Sequence, residues 1–169
     1  MNEIIIAAAG GGKTTRIVKT ALDTPSERSA IVTYTQNNVG EITHKLYALN
    51  RAIPPSVEVW SWYSFILREL ARPYQAALTN GRVNGIFWNQ KRSDRFARKI
   101  DTDRFYFNRD KLIYSDKISQ FILACNDASN GAVIKRLEQR FDRIYIDEIQ
   151  DLAGYDLDLI ELILRSRIK

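Results

Sequence analysis

Cysteine and histidine are almost absent from this chain of 169 residues, which contains one of each, Cys125 and His44. A lone cysteine cannot form an internal disulfide, and one Cys with one His cannot supply a zinc cluster. The Ser-His-Asp and Cys-His hydrolases are excluded as well, because His44 lies on a predicted helix with no catalytic partner in its pattern. We expect Cys125, which follows apolar residues on another predicted helix, to be a buried and unreactive thiol.

Long hydrophobic runs are also missing. No apolar stretch approaches the roughly 20 residues that a membrane span needs, and the first apolar run is too short and lacks the basic residues of a signal sequence. With 45% hydrophobic and 27% charged residues, the composition is that of a globular protein, which excludes collagen-like and disordered chains. We therefore expect a cytoplasmic protein with no membrane partner.

Positive charge is concentrated in one segment. The formal charge of the chain is +5, and residues 66–111 hold eleven bases and five acids, so this segment carries 11 − 5 = +6. Aromatic residues alternate with the bases there, and cations together with stacking rings are what a single-stranded nucleic acid requires. The alternative, which the composition leaves open, is a solvated basic face whose aromatic residues form its own core.

Strands and helices alternate through most of the chain. Apolar, β-branched runs predict strands, and apolar residues at helical spacing predict helices between them. The strands are expected at 3–8, 30–35, 57–61 and 143–146. The helices are expected at 13–22, 37–49, 62–71, 115–125, 131–141 and 155–167. This order predicts an α/β fold with a mostly parallel sheet flanked by helices. Between Pro73 and Ser115 the alternation lapses, and we predict a mainly helical insertion with a hairpin near Asn108.

A glycine-rich loop joins the first predicted strand to the first helix, with the sequence Ala7-Ala8-Ala9-Gly10-Gly11-Gly12-Lys13-Thr14. Small residues let successive backbone N–H groups surround a phosphate, and the helix N-terminus adds a favourable dipole. Lys13 would reach the β- and γ-phosphates of ATP, and the Thr14 hydroxyl would bind Mg²⁺. The predicted ATP-binding residues are Ala9, Gly10, Gly11, Gly12, Lys13, Thr14 and Thr15. A plain tight turn is the alternative, but a turn does not need the Lys-Thr pair.

Two acids follow the last predicted strand. Asp147 is placed to hold Mg²⁺, and the adjacent Glu148 to orient and deprotonate an attacking water. An acid pair that merely caps the following helix is the alternative. The phosphate loop earlier in the chain favours the catalytic interpretation.

The motifs together resemble those of superfamily-one DNA helicases of the UvrD/Rep/PcrA type. The run Asp147-Glu148-Ile149-Gln150-Asp151 is similar to the DExQD box of that family, and the loop has the family's variant with alanine in first place. The resemblance implies a P-loop NTPase with a RecA-like sheet, ATP and Mg²⁺ as cofactors, and Lys13, Glu148 and Gln150 as catalytic residues.

Two further segments resemble the DNA contacts of this family, in the same order along the chain. Residues 31–37 are similar to its TFTNKA segment and residues 61–65 to its TFHxF segment. The resemblance implies that single-stranded DNA is bound by Tyr34, Thr35, Gln36, Ser61, Trp62 and Tyr63. Ser61 stands in the threonine position of the second segment, and Tyr63 in the histidine position.

The resemblance also implies a division of the chain. Residues 1–65 and 112–169 would form the first RecA-like core domain, truncated after Asp147 and Glu148, the Walker B acids, and the basic residues 66–111 would be a 1B-like insertion. Within it we expect Arg92 and Arg95 to contact DNA, because cations are concentrated there. A second RecA-like domain, in a longer chain or in a partner, would supply the arginine finger. Without that finger we expect ATP turnover to fall on the order of a thousandfold.

The sequence therefore predicts the ATP-binding N-terminal part of a DNA helicase or translocase. Two alternatives stay open at this point. One is a non-catalytic ATP- and DNA-binding module that needs another domain or chain, and the other is a P-loop kinase of small molecules.

Overall fold

A computed structural model describes residues 2–6, 11–89, 93 and 101–169 of the chain. The chain divides into two compact units. The first comprises Met1–Ser64, Glu138–Leu152 and Leu164–Lys169, and the second comprises Phe65–Leu137 and Ala153–Ile163. This division does not test the inserted domain predicted at residues 66–111, which stays a prediction.

The first unit is built on a parallel three-stranded sheet. Its strands are β1 (Ser29–Thr33), β2 (Val57–Ser61) and β5 (Arg143–Ile146), in the order β2-β1-β5, with Ser29 opposite both Val57 and Arg143. Every residue of the central strand β1 is buried. This burial explains the continuous apolar run of residues 30–32, since a parallel strand that is covered on both faces has no solvent side to make polar.

Two helices cover one face of this sheet, namely α1 (Lys13–Asp23) and α2 (Gln36–Asn50). Their apolar stripes meet the strands in a core cluster that contains Ile17, Val18, Ala21, Ile31, Ile42, Leu46 and Val57. The predicted α/β architecture, with a small, mostly parallel sheet flanked by helices, is therefore confirmed.

The predicted strand at residues 3–8 is wrong over its described part. Residues 2–6 have no regular secondary structure, Ile4 and Ile6 are 81% and 94% exposed, and residues 7 and 8 lie outside the described residues. The outer edge of β5 is instead paired with the backbone of Lys169, whose N–H donates to the Asp142 carbonyl (3.1 Å) and whose carbonyl accepts from the Ile144 N–H (2.9 Å). Residues 2–6 pair with no strand of this sheet, and apolar sequence alone cannot make a strand.

The helix predicted at 62–71 is present, but it changes type and continues past Pro73. An α-helical turn, α3 (Trp62–Phe65), leads into a π-helix (Ile66–Ala71) and then α4 (Arg72–Tyr74) and a 3₁₀ turn (Gln75–Ala77). Pro73 has no N–H to donate to the Glu69 carbonyl one turn earlier. Arg136 replaces that donor, since its Nη1 lies 2.8 Å from the Glu69 carbonyl oxygen and 2.9 Å from Glu69 Oε2.

The rest of the second unit is mainly helical, although most of its helices lie outside the insertion predicted at residues 66–111. It contains α5 (Thr102–Tyr106), α6 (Ile118–Ala128), most of α7 (Ala132–Arg140) and most of α8 (Tyr155–Leu164), with a short parallel pair of strands, β3 (Gly85–Phe87) and β4 (Leu112–Tyr114). The hairpin predicted near Asn108 is confirmed by an antiparallel bridge between Phe107 and Ile113. Within the described part of the chain, no helix combines the length and the apolar character that a membrane crossing demands.

Candidate functional site

The described end of the glycine-rich loop leads directly into α1. Gly12 has a φ of 77°, in the left-handed region that favours glycine, and a Cβ built there would meet nothing within 4 Å. Backbone conformation rather than crowding therefore selects glycine at this position. No side chain caps the helix and its first turn contains no acid, so the N-terminus is electrostatically suited to an anion. Lys13, Thr14 and Thr15 are half-buried on this first turn, while Ala9 and Gly10 lie outside the described residues.

Thr14 and Asp147, which are 133 positions apart in the sequence, are in direct contact. The Thr14 hydroxyl donates to Asp147 Oδ2 at 2.7 Å. Asp147 is the first residue after β5, and its N–H continues the ladder to the Val32 carbonyl at 2.8 Å, which fixes the carboxylate at the end of the sheet. The side chain is buried, at 5% exposure. The fold thus brings together the two side chains that were predicted to bind Mg²⁺.

These two oxygens fit Mg²⁺. The cation prefers hard oxygen ligands and usually keeps several waters and substrate phosphates in its shell, so one hydroxyl and one carboxylate are a sufficient protein contribution. Among the described residues there is no group of three His, Cys, Asp or Glu side chains that could hold a metal ion. The remaining ligands would come from the nucleotide and from water.

Glu148 has an unusual backbone conformation for a residue with a side chain, with φ 58° and ψ 43°. Such a left-handed residue costs of order 1 kcal/mol and is held by its surroundings. Its N–H donates to Asp147 Oδ1 (3.1 Å), its carbonyl accepts from the Asp151 N–H (3.0 Å), and its carboxylate accepts from the amide of Gln150. The two predicted catalytic residues Glu148 and Gln150 therefore touch each other, next to Asp147.

A second group of predicted residues meets at the carboxyl ends of β1 and β2. The rings of Tyr34 and Tyr63 are tilted against each other with centroids 6.1 Å apart, and the Gln36 amide donates to Ser61 Oγ at 2.9 Å. Thr35 has a structural role, because its hydroxyl accepts from the Asn38 N–H and so caps α2. We call residues 33–38 and 61–64 the strand-end surface. None of its ten residues is charged.

Trp62 is a correction within this group. It was predicted to face DNA, but its side chain is 1% exposed and belongs to the core. Trp60, two residues earlier, is half-buried and donates from Nε1 to Glu58 Oε2 at 3.1 Å. The pattern could not distinguish the two tryptophans, because the chain changes from strand to helix between Ser61 and Trp62, and side-chain alternation ends there.

Several bases of the segment 66–111 stabilise the fold of the second unit. Arg72 donates to the carbonyls of Val83 (3.0 Å) and Asn84 (2.7 Å), and Lys111 Nζ lies 2.8 Å from Asp103 Oδ2. Lys111, and secondarily the Thr79 hydroxyl, lowers the pKa of Asp103. These two cations are therefore engaged in contacts within the unit. Arg92 and Arg95, the predicted DNA contacts, lie outside the described residues.

Sequence reasoning missed two members of the strand-end surface. Ser61 donates to Ser64 Oγ at 2.9 Å, and the amide of Asn38 donates to Thr33 Oγ1 at 3.3 Å. Thr35 is a recognisable N-cap residue, but no signal marks the Asn38 side chain, which bonds to Thr33 and not to the cap. No signal in the sequence singles out Ser64.

No protein-family model matches the chain, and no curated protein matches it. Function must therefore be inferred from the side chains and their contacts.

Proposed function

We propose that this chain is the ATP-binding part of a DNA helicase or translocase of the UvrD type, which couples Mg·ATP hydrolysis to movement on single-stranded DNA. One observation carries the proposal, namely the 2.7 Å contact between the Thr14 hydroxyl and Asp147 Oδ2. A plain glycine turn gives no reason for a helix-start threonine to meet a buried acid at the end of a neighbouring strand. A P-loop with its partner acid requires that juxtaposition.

The chemistry would be shared among few side chains. A bound Mg²⁺ would supply neutralisation of the charge that develops on the phosphates. Thr14 and Asp147 would hold it, and Lys13 would bind the phosphates from the start of α1. Glu148 would orient a water and accept its proton, while the Gln150 amide keeps the Glu148 carboxylate in position.

The strand-end surface supports the nucleic-acid part of the proposal. Ligands of open α/β sheets bind beyond the carboxyl ends of the strands, and Tyr34, Gln36 and Tyr63 lie there. Half-buried aromatic rings can stack on bases regardless of sequence. Because the surface lacks charge, its contribution to binding should not depend on salt.

The experiment is a turnover assay with labelled Mg·ATP, with and without single-stranded DNA, on the parent chain and on Glu148→Gln. We expect slow turnover that DNA stimulates and that falls about 100-fold or more in the variant, because an amide cannot accept the proton of water. Glu41→Gln, at an exposed glutamate of α2, is the matched control and should behave as the parent. Equal turnover for Glu148→Gln and the parent would remove Glu148 from the mechanism. DNA-independent transfer of phosphate to a small molecule would instead identify a kinase.

A further inference from the structure

The aromatic residues of the basic segment 66–111 differ sharply in their access to solvent. Tyr106 and Phe107 are each 3% exposed and belong to the core of the second unit. Phe87 and Trp88, by contrast, are 41% and 63% exposed. A ring that fills the core cannot meet a ligand, so the exposed pair offers the accessible ring surface of the described part of this segment.

Phe87 and Trp88 differ in how far the ring is already used. Phe87 is the last residue of β3, and its ring packs edge-on against Tyr114 of β4, with centroids 5.9 Å apart. Trp88 is the next residue and is the more exposed of the two. Its indole is a large and rigid apolar surface, and tryptophan is enriched among the residues that dominate binding energy.

The chain is anchored on both sides of Trp88. Before it, the Phe87 carbonyl accepts from the Ser115 N–H at 3.0 Å. After it, the Asn89 amide nitrogen donates to Asp116 Oδ1 at 3.0 Å, and Asn89 Oδ1 accepts from the Ser115 hydroxyl at 2.9 Å. A carboxylate and an amide oxygen can only accept, so the donors and acceptors of both side-chain contacts are determined.

Asp116 also holds the chain beyond Asn89. Its Oδ2 accepts from the Ser93 N–H at 2.9 Å, and its Oδ1 accepts from the Ser93 hydroxyl at 2.9 Å. The backbone around Trp88 is therefore positioned before any ligand arrives. Such preorganisation lowers the entropy that binding costs.

We propose that Trp88 is a stacking site for an unpaired base of single-stranded nucleic acid. The segment 66–111 carries a formal charge of +6, which complements the phosphates of such a strand. An exposed indole stacks on any base, because every base has a π-face. The proposal rests on the proposed function and adds a contact in the second unit, at a residue that the resemblance does not assign.

The test measures the affinity of the chain for a labelled single-stranded oligodeoxynucleotide by fluorescence anisotropy, at several salt concentrations. We expect Trp88→Ala to weaken binding about 5- to 100-fold, the value of one stacked base, with an unchanged dependence on salt because stacking releases no counterion. Trp88→Phe keeps a ring and should lose less affinity than Trp88→Ala. Tyr47→Ala, at a 52% exposed aromatic residue of α2, is the matched control and should bind as the parent.

Intrinsic tryptophan fluorescence gives a second readout that reports on the ring itself. The unlabelled oligonucleotide should quench the fluorescence of the parent chain. Trp88→Phe should remove most of this quenching while it still binds, because the two other tryptophans are less exposed. Unchanged quenching in Trp88→Phe would show that no base stacks on Trp88.

The possible outcomes separate this proposal from the proposed function. If folded Trp88→Ala binds as tightly as the parent, or if Tyr47→Ala loses as much affinity, Trp88 is not the stacking site although the chain still binds nucleic acid. Self-association in sedimentation that Trp88→Ala abolishes, at unchanged affinity for the oligonucleotide, would identify a second copy of the chain as the occupant and overturn the proposal. If the parent chain binds no oligonucleotide even at low salt, both the stacking site and the nucleic-acid part of the proposed function are overturned.

Discussion

Trp62 allows the strongest quantitative prediction, because burial of its ring stabilises the fold while its unpaired N–H destabilises it. The residue is 1% exposed, yet its indole Nε1 has no hydrogen-bond partner among the described residues. Trp62→Ala removes the whole ring from a packed core and should lower the free energy of unfolding by about 3–5 kcal/mol. Trp62→Phe loses less apolar contact, about 1–2 kcal/mol, and also removes a buried, unpaired N–H that costs about 1–3 kcal/mol.

The two contributions in Trp62→Phe nearly cancel, so we expect its stability to lie within about 1 kcal/mol of the parent. Trp60→Phe is the matched control. The Trp60 N–H is bonded to Glu58, and its loss should cost about 0.5–1.5 kcal/mol although Trp60 is less buried. Trp60→Phe should therefore destabilise the chain at least as much as Trp62→Phe.

Urea unfolding followed by far-UV circular dichroism measures these differences without depending on tryptophan fluorescence. A cost above about 3 kcal/mol for Trp62→Phe would show that its N–H is satisfied and would refute the reasoning. The affinity of Trp62→Phe for single-stranded DNA should equal that of the parent. A loss of affinity at unchanged stability would show that Trp62 contacts DNA, as the resemblance to the helicase segment implies.

Two further predictions concern titratable groups. Cys125 is fully buried, and burial raises the pKa of its thiol to about 12. The thiol should therefore resist a reagent such as DTNB in the native chain and react fully in urea. Rapid reaction of the native chain would contradict its place in the core. The side chain and backbone N–H of Arg28 lower the pKa of Asp142 below its ordinary value near 4. The ionised carboxylate therefore stabilises the fold at pH values above its ordinary pKa. This stabilisation is lost as the pH falls through the lower pKa of the folded state. Thermal unfolding at a series of pH values should therefore show a weaker acid dependence for Asp142→Asn than for the parent, and identical profiles would contradict this role.

The sequence was sufficient where local pattern decides structure. Strands β2 and β5 lie at the predicted residues because each is a short run rich in β-branched and aromatic residues. Helices α1 and α2 begin within one residue of their predicted starts. The contact between Thr14 and Asp147 agrees with the phosphate-loop motif and its partner acid, although residues 2–6 before the loop form no strand.

Prediction failed where a distant residue decides the outcome. The helix after β2 continues past Pro73, and the Glu69 carbonyl, to which Pro73 cannot donate, accepts from Arg136, more than sixty residues away. Residues 2–6 form no strand, and the outer edge of β5 is bonded to the backbone of the distant residue Lys169. Ser64 belongs to the strand-end surface only through its contact with Ser61, which no spacing rule reveals.

The central claim is that the start of α1 binds the phosphates of Mg·ATP. Isothermal titration calorimetry of ATP into the parent chain, Lys13→Ala and Lys19→Ala, each with Mg²⁺ and with EDTA, tests it most directly. Lys19 is an exposed lysine of the same helix, six residues further on, and serves as the control. We predict Mg²⁺-dependent binding by the parent and by Lys19→Ala, and no measurable binding by Lys13→Ala at an unchanged unfolding temperature. A folded Lys13→Ala chain that binds Mg·ATP as tightly as the parent would contradict the account.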